Sequence, residues 1–120
     1  MDNAEMIKYV DMNDALNRVR GNKKLYFRMM KMFKASTEFA ALEEAIGNKD
    51  YVNAERFAHS IKGITGNLSL HLLFETSSKL MNELKQNTYD EKTYSDYQEA
   101  LKLTLIYTED VLSTLEKELA

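Results

Sequence analysis

The stretch "LHLLFETSSKLMNEL", residues 70–84, decides the fold. Leu70, Leu73, Phe74, Ser77, Leu80, Met81 and Leu84 recur at steps of three and four. That is a heptad-like seam with a period near 3.5, which places the apolar groups on one face of a helix. The same reading extends in both directions. Upstream, Asp50 is placed to cap a helix whose stripe is Ala54, Phe57, Ala58, Ile61, Ile64, Thr65 and Leu68, and Ser69 to cap the helix that follows. Earlier still, Leu25, Met29, Phe33, Ala40, Ala41 and Ala45 fall largely on one stripe. It runs from Asn22, a good N-cap, to Ile46, with Gly47-Asn48 as the stop. Downstream, the polar connection "KQNTYDEK" leads to a last helix carrying Tyr94, Tyr97, Leu101, Thr104, Leu105, Thr108, Val111, Leu112, Leu115 and Leu119, with the tyrosine hydroxyls expected at the rim.

Four amphipathic helices with short links predict an all-α fold, an antiparallel up-down four-helix bundle over residues 22–119. Residues 1–20 add a short helical segment around "MNDALNRV", with Met6, Ile7 and Tyr9 as apolar contacts, expected to cover one end. The 120 residues read as one domain. No proline and only four glycines argue against a turn-rich β fold.

The chain is 44% hydrophobic and 29% charged, with a formal net charge of −3. A mildly acidic chain without a basic stripe argues against nucleic acid as partner. The absence of cysteine excludes disulfides, zinc–thiolate sites and cysteine nucleophiles. No apolar run approaches the roughly 20 residues that cross a bilayer, and "MDNAEMIKYV" lacks a signal peptide's apolar stretch. The expectation is a soluble, cytoplasmic, free-standing monomer without a membrane partner.

Within "AHSIKGITGN", residues 58–67, a histidine is followed by two of the four glycines. At about 100° per residue, His59 lies roughly 170° from the centre of its helix's apolar stripe. Lys62, Gly63 and Gly66 share its side, with Glu55 and Arg56 flanking it. Each glycine inside an exposed helix costs roughly 1 kcal/mol against alanine. A side chain leans over the preceding turn, so a residue at position 63 would overlie His59. Gly63 therefore reads as clearance for the ring and Gly66 as clearance of the next turn. Imidazole is a competent nucleophile, and Lys62 suits a phosphoryl adduct as a point charge. An idle surface histidine is the plain alternative.

"AHSIKGITGNLS" resembles the signature of histidine-containing phosphotransfer (HPt) domains, in which His-x-x-Lys-Gly sits on a helix of a four-helix bundle. "NDALNRVRGNKKLYFRMMKMF" is similar to the family's leading segment and "LEEAIGNKDYVNAERFAHSIKG" to its run into the histidine. The landmarks cover roughly residues 10 to 86. The resemblance implies His59 as phosphoacceptor through its outer ring nitrogen, Lys62 as phosphate-stabilising cation and Gly63 as clearance. It implies a receiver domain of a response regulator, or a hybrid sensor histidine kinase, as partner, and Arg56, Ile64, Gly66 and Asn67 as partner contacts. The chain itself needs no cofactor, since magnesium would come with the receiver. Two positions depart from the family pattern: Ser69, where glycine is common, and Met81, near a position often acidic. Neither is expected to touch the chemistry.

No glycine-rich nucleotide loop is present, so phosphorylation directly from ATP is not expected. Two other functions fit the same pattern: a helical adaptor of this fold that binds without chemistry, and the phosphorylation module of a chemotaxis-type kinase. His71 reads as a surface histidine, no metal site is expected, and Met29, Met30 and Met32 read as core filler and edge contacts. An apolar docking patch is expected beside His59, with Ile64, Leu68, Ala58 or parts of the first segment as candidates.

Overall fold

The computed structural model describes residues 3–120, an all-helical structure with no strand among them. Residues 1 and 2 of the leading segment lie outside the described residues. Seven helices follow in order: α1 (Asn3–Tyr9), α2 (Met12–Arg18), α3 (Lys23–Lys34), α4 (Glu38–Gly47), α5 (Tyr51–Asn67), α6 (His71–Lys85) and α7 (Glu91–Leu119). The 29 residues of α7 span about 43 Å at 1.5 Å each, close to the 45 Å long axis of the molecule.

The helices begin where short polar side chains catch free backbone N–H groups. Asn22 accepts from the Leu25 N–H at 3.0 Å, Asp50 from Asn53 at 3.2 Å and Asp90 from Lys92 at 2.7 Å. Ser69 is not the cap of α6. That position belongs to Leu70, and Ser69 sits in the turn with φ of 56°.

The single helix expected over residues 22–46 is two. The Ser36 hydroxyl accepts the Glu38 N–H at 3.1 Å, starting a new helix after a break at residues 35–37. The break resets the phase. Leu42, Ala45 and Ile46 are buried, whereas Ala40 is exposed. In α3 the buried residues are Tyr26, Met30 and Phe33, so the expected stripe is off by one position before Phe33.

α4 packs on α5, α5 on α6, α6 on α7 and α7 on α3. Lys23 pairs with Glu118 at 3.2 Å and Lys34 with Glu109, so α3 and α7 run antiparallel. The leading segment covers this assembly with α1 against α6 and α7, where Tyr9 stacks on Tyr107 at 5.1 Å. α2 is tied to the α5–α6 turn. The Asp11 N–H donates to the Ser69 carbonyl at 3.1 Å, and the Ser69 hydroxyl donates to Asp14 Oδ2 at 2.5 Å.

The core includes Val10, Met30, Leu42, Ala54, Ala58, Ile61, Leu73, Leu80 and Leu115. Buried hydroxyls on the stripes are satisfied locally. Ser77 donates to the Leu73 carbonyl at 2.6 Å and Thr108 to that of Thr104 at 2.7 Å. Tyr97 does not keep its hydroxyl at the rim. It is 3% exposed, its Oη has no hydrogen-bond partner, and burial pushes its ionisation well above 10. A buried unsatisfied hydroxyl costs about 1–3 kcal/mol. Tyr97→Phe is therefore expected to raise the melting temperature; a clear loss of stability in a denaturant titration would contradict this assignment.

The hydrogen bond from Ser69, with help from Arg18, holds the Asp14 carboxyl below its ordinary 3.8. A lowered folded-state pKa contributes stability above the unfolded value and loses it as pH falls through the folded value. The stability gap between wild type and Asp14→Asn should accordingly be full near neutrality and close in acid below 3.8. A gap that widens in acid would show that another group dominates.

Candidate functional site

α5 has two faces. Ala54, Ala58, Ile61 and Thr65 are buried, and His59 stands exposed on the opposite side. His59, Lys62, Gly63, Gly66 and Asn67 line a hollow of about 390 Å³, closed by Arg18 from α2 and Phe74 from α6. No carboxylate lines it. Two cations thus stand beside the histidine on a chain of net charge −3, Lys62 and Arg18, the latter paired through Nε with Asp14 at 3.4 Å.

The His59 ring is anchored on one side. Its Nδ1 lies 3.3 Å from the sulfur of Met81, a residue 3% exposed. A thioether accepts weakly and has no hydrogen to give, so this contact favours the tautomer with the proton on Nδ1. In the neutral ring the lone pair then sits on Nε2. Met81, expected to stand apart from the chemistry, touches the ring directly. Its own burial places it there: it faces α5 from the inner side of α6.

Lys62 Nζ lies 6.0 Å from the centre of the Phe74 ring, a cation–π contact. The two glycines serve different ends. A Cβ at Gly63 would meet nothing within 4 Å, so nothing inside the chain requires glycine there. A Cβ at Gly66 would come within 3.2 and 3.3 Å of the Phe74 ring. Gly66 is thus a packing glycine that admits Phe74 against α5, where the sequence suggested clearance of the next turn.

Of the other residues expected at the site, Asn67 lines the hollow. Ile64 and Asn67 also line a neighbouring groove of about 420 Å³ with Met29, Met32, Phe33 and Leu68. Met32 is 73% exposed and Met29 half-buried, so of the three methionines only Met30 is core filler. Ala58 is fully buried and takes no part in this patch. In the same groove Glu38 Oε1 accepts from the Ser60 hydroxyl at 2.9 Å, while Oε2 is buried without a partner. Arg56 lies elsewhere, in a separate hollow with Tyr51, Glu55, Leu84 and Lys85, and its Nη1 reaches Asn53 at 3.5 Å.

His71 lies at the surface, as expected, and has a partner there. Its Nε2 lies 2.9 Å from Asp11 Oδ2. Asp11, Asp14 and His71 have ligand atoms within 4.8 Å of one another, a spacing that could hold a cation. These groups satisfy each other and Ser69, and none of them lines the His59 hollow.

Arg18, Phe74 and Met81 are the site residues that sequence reading missed. Phe74 and Met81 were visible as members of the α6 seam. Arg18 left no local signal, because only the α2 contact with the α5–α6 turn brings it to the histidine. No family model, curated protein or solved structure matches the chain.

The glycine assignments separate experimentally. Gly63→Ala is expected to stabilise the fold by up to about 1 kcal/mol, the helix-propensity difference. Gly66→Ala should gain less, because its methyl must move Phe74. Guanidinium titrations of the two variants give the order; a larger gain at position 66 would reverse the assignment.

Proposed function

We propose that the protein is a phosphotransfer intermediate of the HPt kind, accepting a phosphoryl group on His59 Nε2 and passing it to or from receiver-domain aspartates. The observation that carries this reading is an exposed histidine with Nδ1 anchored and Nε2 free, in a cationic hollow without a carboxylate. A metal-binding histidine would want carboxylate company, and an idle one would not call for bare Gly63.

The step balances on this chain's groups. The Nε2 lone pair attacks phosphorus of an aspartyl phosphate, the P–N bond forms, the P–O bond breaks, and the carboxylate leaves with the electron pair. The imidazole becomes a phospho-imidazolium whose Nδ1–H still donates to Met81. Lys62 offsets the dianionic charge, as a point-charge phosphate binder does. The return step reverses the same bonds.

The apolar groove bounded by Met29, Met32, Ile64 and Leu68 adjoins the hollow through Asn67. It supplies apolar contact for a docking receiver, whose own acidic site would meet Arg18 and Lys62. The packing of α4 on α5, α5 on α6, α6 on α7 and α7 on α3 supports reading the fold as an up-down four-helix bundle, with α3 and α4 as one interrupted rod.

The test is incubation with labelled phospho-receiver domains of the source organism, with His59→Gln as control. Acid-labile label on wild type and none on the variant is expected. No transfer from any receiver, or equal transfer to the variant, overturns the proposal. A purely adaptor role predicts that His59→Gln keeps both partner and phenotype.

A further inference from the structure

We propose that Arg18 is a second phosphate-binding cation of the His59 site, held in position by Asp14 and Ser69. The inference rests on the phosphotransfer reading and assigns that site a residue from outside its motif.

Arg18 enters the hollow from the C-terminal end of α2, opposite the helix that carries His59 and Lys62. A phosphoryl group on Nε2 would then meet cations from two elements. Lys62 offers a compact point charge, whereas a guanidinium offers five N–H donors in a planar fork matched to phosphate oxygens. In Arg18 only Nε is engaged, 3.4 Å from Asp14 Oδ2. The Nη hydrogens are left for an anion.

The anchor behind Arg18 argues that its position is specified. Asp14 Oδ2 receives both Arg18 Nε and the Ser69 hydroxyl, the latter at 2.5 Å. Ser69 is 2% exposed and holds φ of 56°, a left-handed conformation that glycine adopts without strain. Glycine would serve the turn better, but it would free Asp14 and, through it, Arg18. The strained serine is explained if its hydroxyl is what the site needs. Asp14 and Ser69 are thus positioning residues, and Arg18 is the group that would touch the phosphoryl oxygens.

The experiment loads full-length protein with phosphoramidate and follows phosphohistidine by ³¹P NMR. Ammonia leaves as the P–N bond to Nε2 forms, so no partner is needed. A charge-assisted hydrogen bond is worth enough that Arg18→Gln should load about tenfold more slowly than wild type, with Arg18→Lys between them. Ser69→Gly should also load more slowly while melting near wild type, since relief of the positive φ offsets the lost hydrogen bond to Asp14. A merely structural role for Ser69 cannot produce that split. Arg18→Gln loading within about twofold of wild type, with charge thus worth little there, overturns the inference. Ser69→Gly loading like wild type overturns the anchor. If wild type acquires no phosphoryl group on His59, the phosphotransfer reading itself falls, and this inference with it.

Discussion

The register between α5 and α6 fixes the contacts that α6 makes around His59. Ala54 and Ala58 present almost no side chain on the buried face of α5, which lets the helix axes approach. With that approach set, Met81 lies beside His59, and Phe74, one helical stretch earlier, lies beside Gly66 and Lys62. The turn that joins the two helices then points the Ser69 hydroxyl at α2. A slip of a single residue would move Met81 off the ring and Phe74 onto a position with no glycine to receive it. The helix pair thus sets the sulfur beside the ring's Nδ1, the lysine's resting place and the attachment of the leading segment.

Much of this was legible in the sequence because it is local. Asn22 and Asp50 cap as their side chains require, and the seam from Leu70 to Leu84 buries every member but Phe74. His59 falls opposite the core by simple rotation. What was illegible depends on phase and on distant contacts. The Ser36 hydroxyl interrupts the first long stripe, and a stripe counted through an interruption assigns the wrong alanines to the core. Tyr26 and Met30, less obvious than leucine as core residues, take the buried positions of α3. Tyr97 is buried to its hydroxyl because packing along α7 outweighs one hydrogen bond.

The same distinction separates the two glycines. A helical wheel places Gly63 and Gly66 on the outer side of α5, and on that evidence they look alike. The wheel has no neighbours in it. Once α6 is present, Gly66 faces an aromatic ring and Gly63 faces open space. One glycine is explained by this chain's packing. The other meets nothing within 4 Å, which is the open approach to His59 that the proposed function calls for.

The costs in this structure are not scattered. Gly63 gives up about 1 kcal/mol of helix stability, and a left-handed non-glycine residue costs about 1–3 kcal/mol. Ser69 is such a residue, and it reaches the His59 hollow through Asp14 and Arg18. Arg20, Lys49 and Asn87 hold the same position, directly after a helix C-cap, where the turn itself favours a positive φ, and they are exposed. Ser69 differs because it is buried and because its side chain is committed to a single carboxylate. The open glycine at 63 and the left-handed serine at 69, whose hydroxyl is given to Asp14, both bear on the His59 hollow, from two directions. Stability alone favours alanine at the first position, whereas at the second the turn's preference for glycine is set against the hydrogen bond to Asp14.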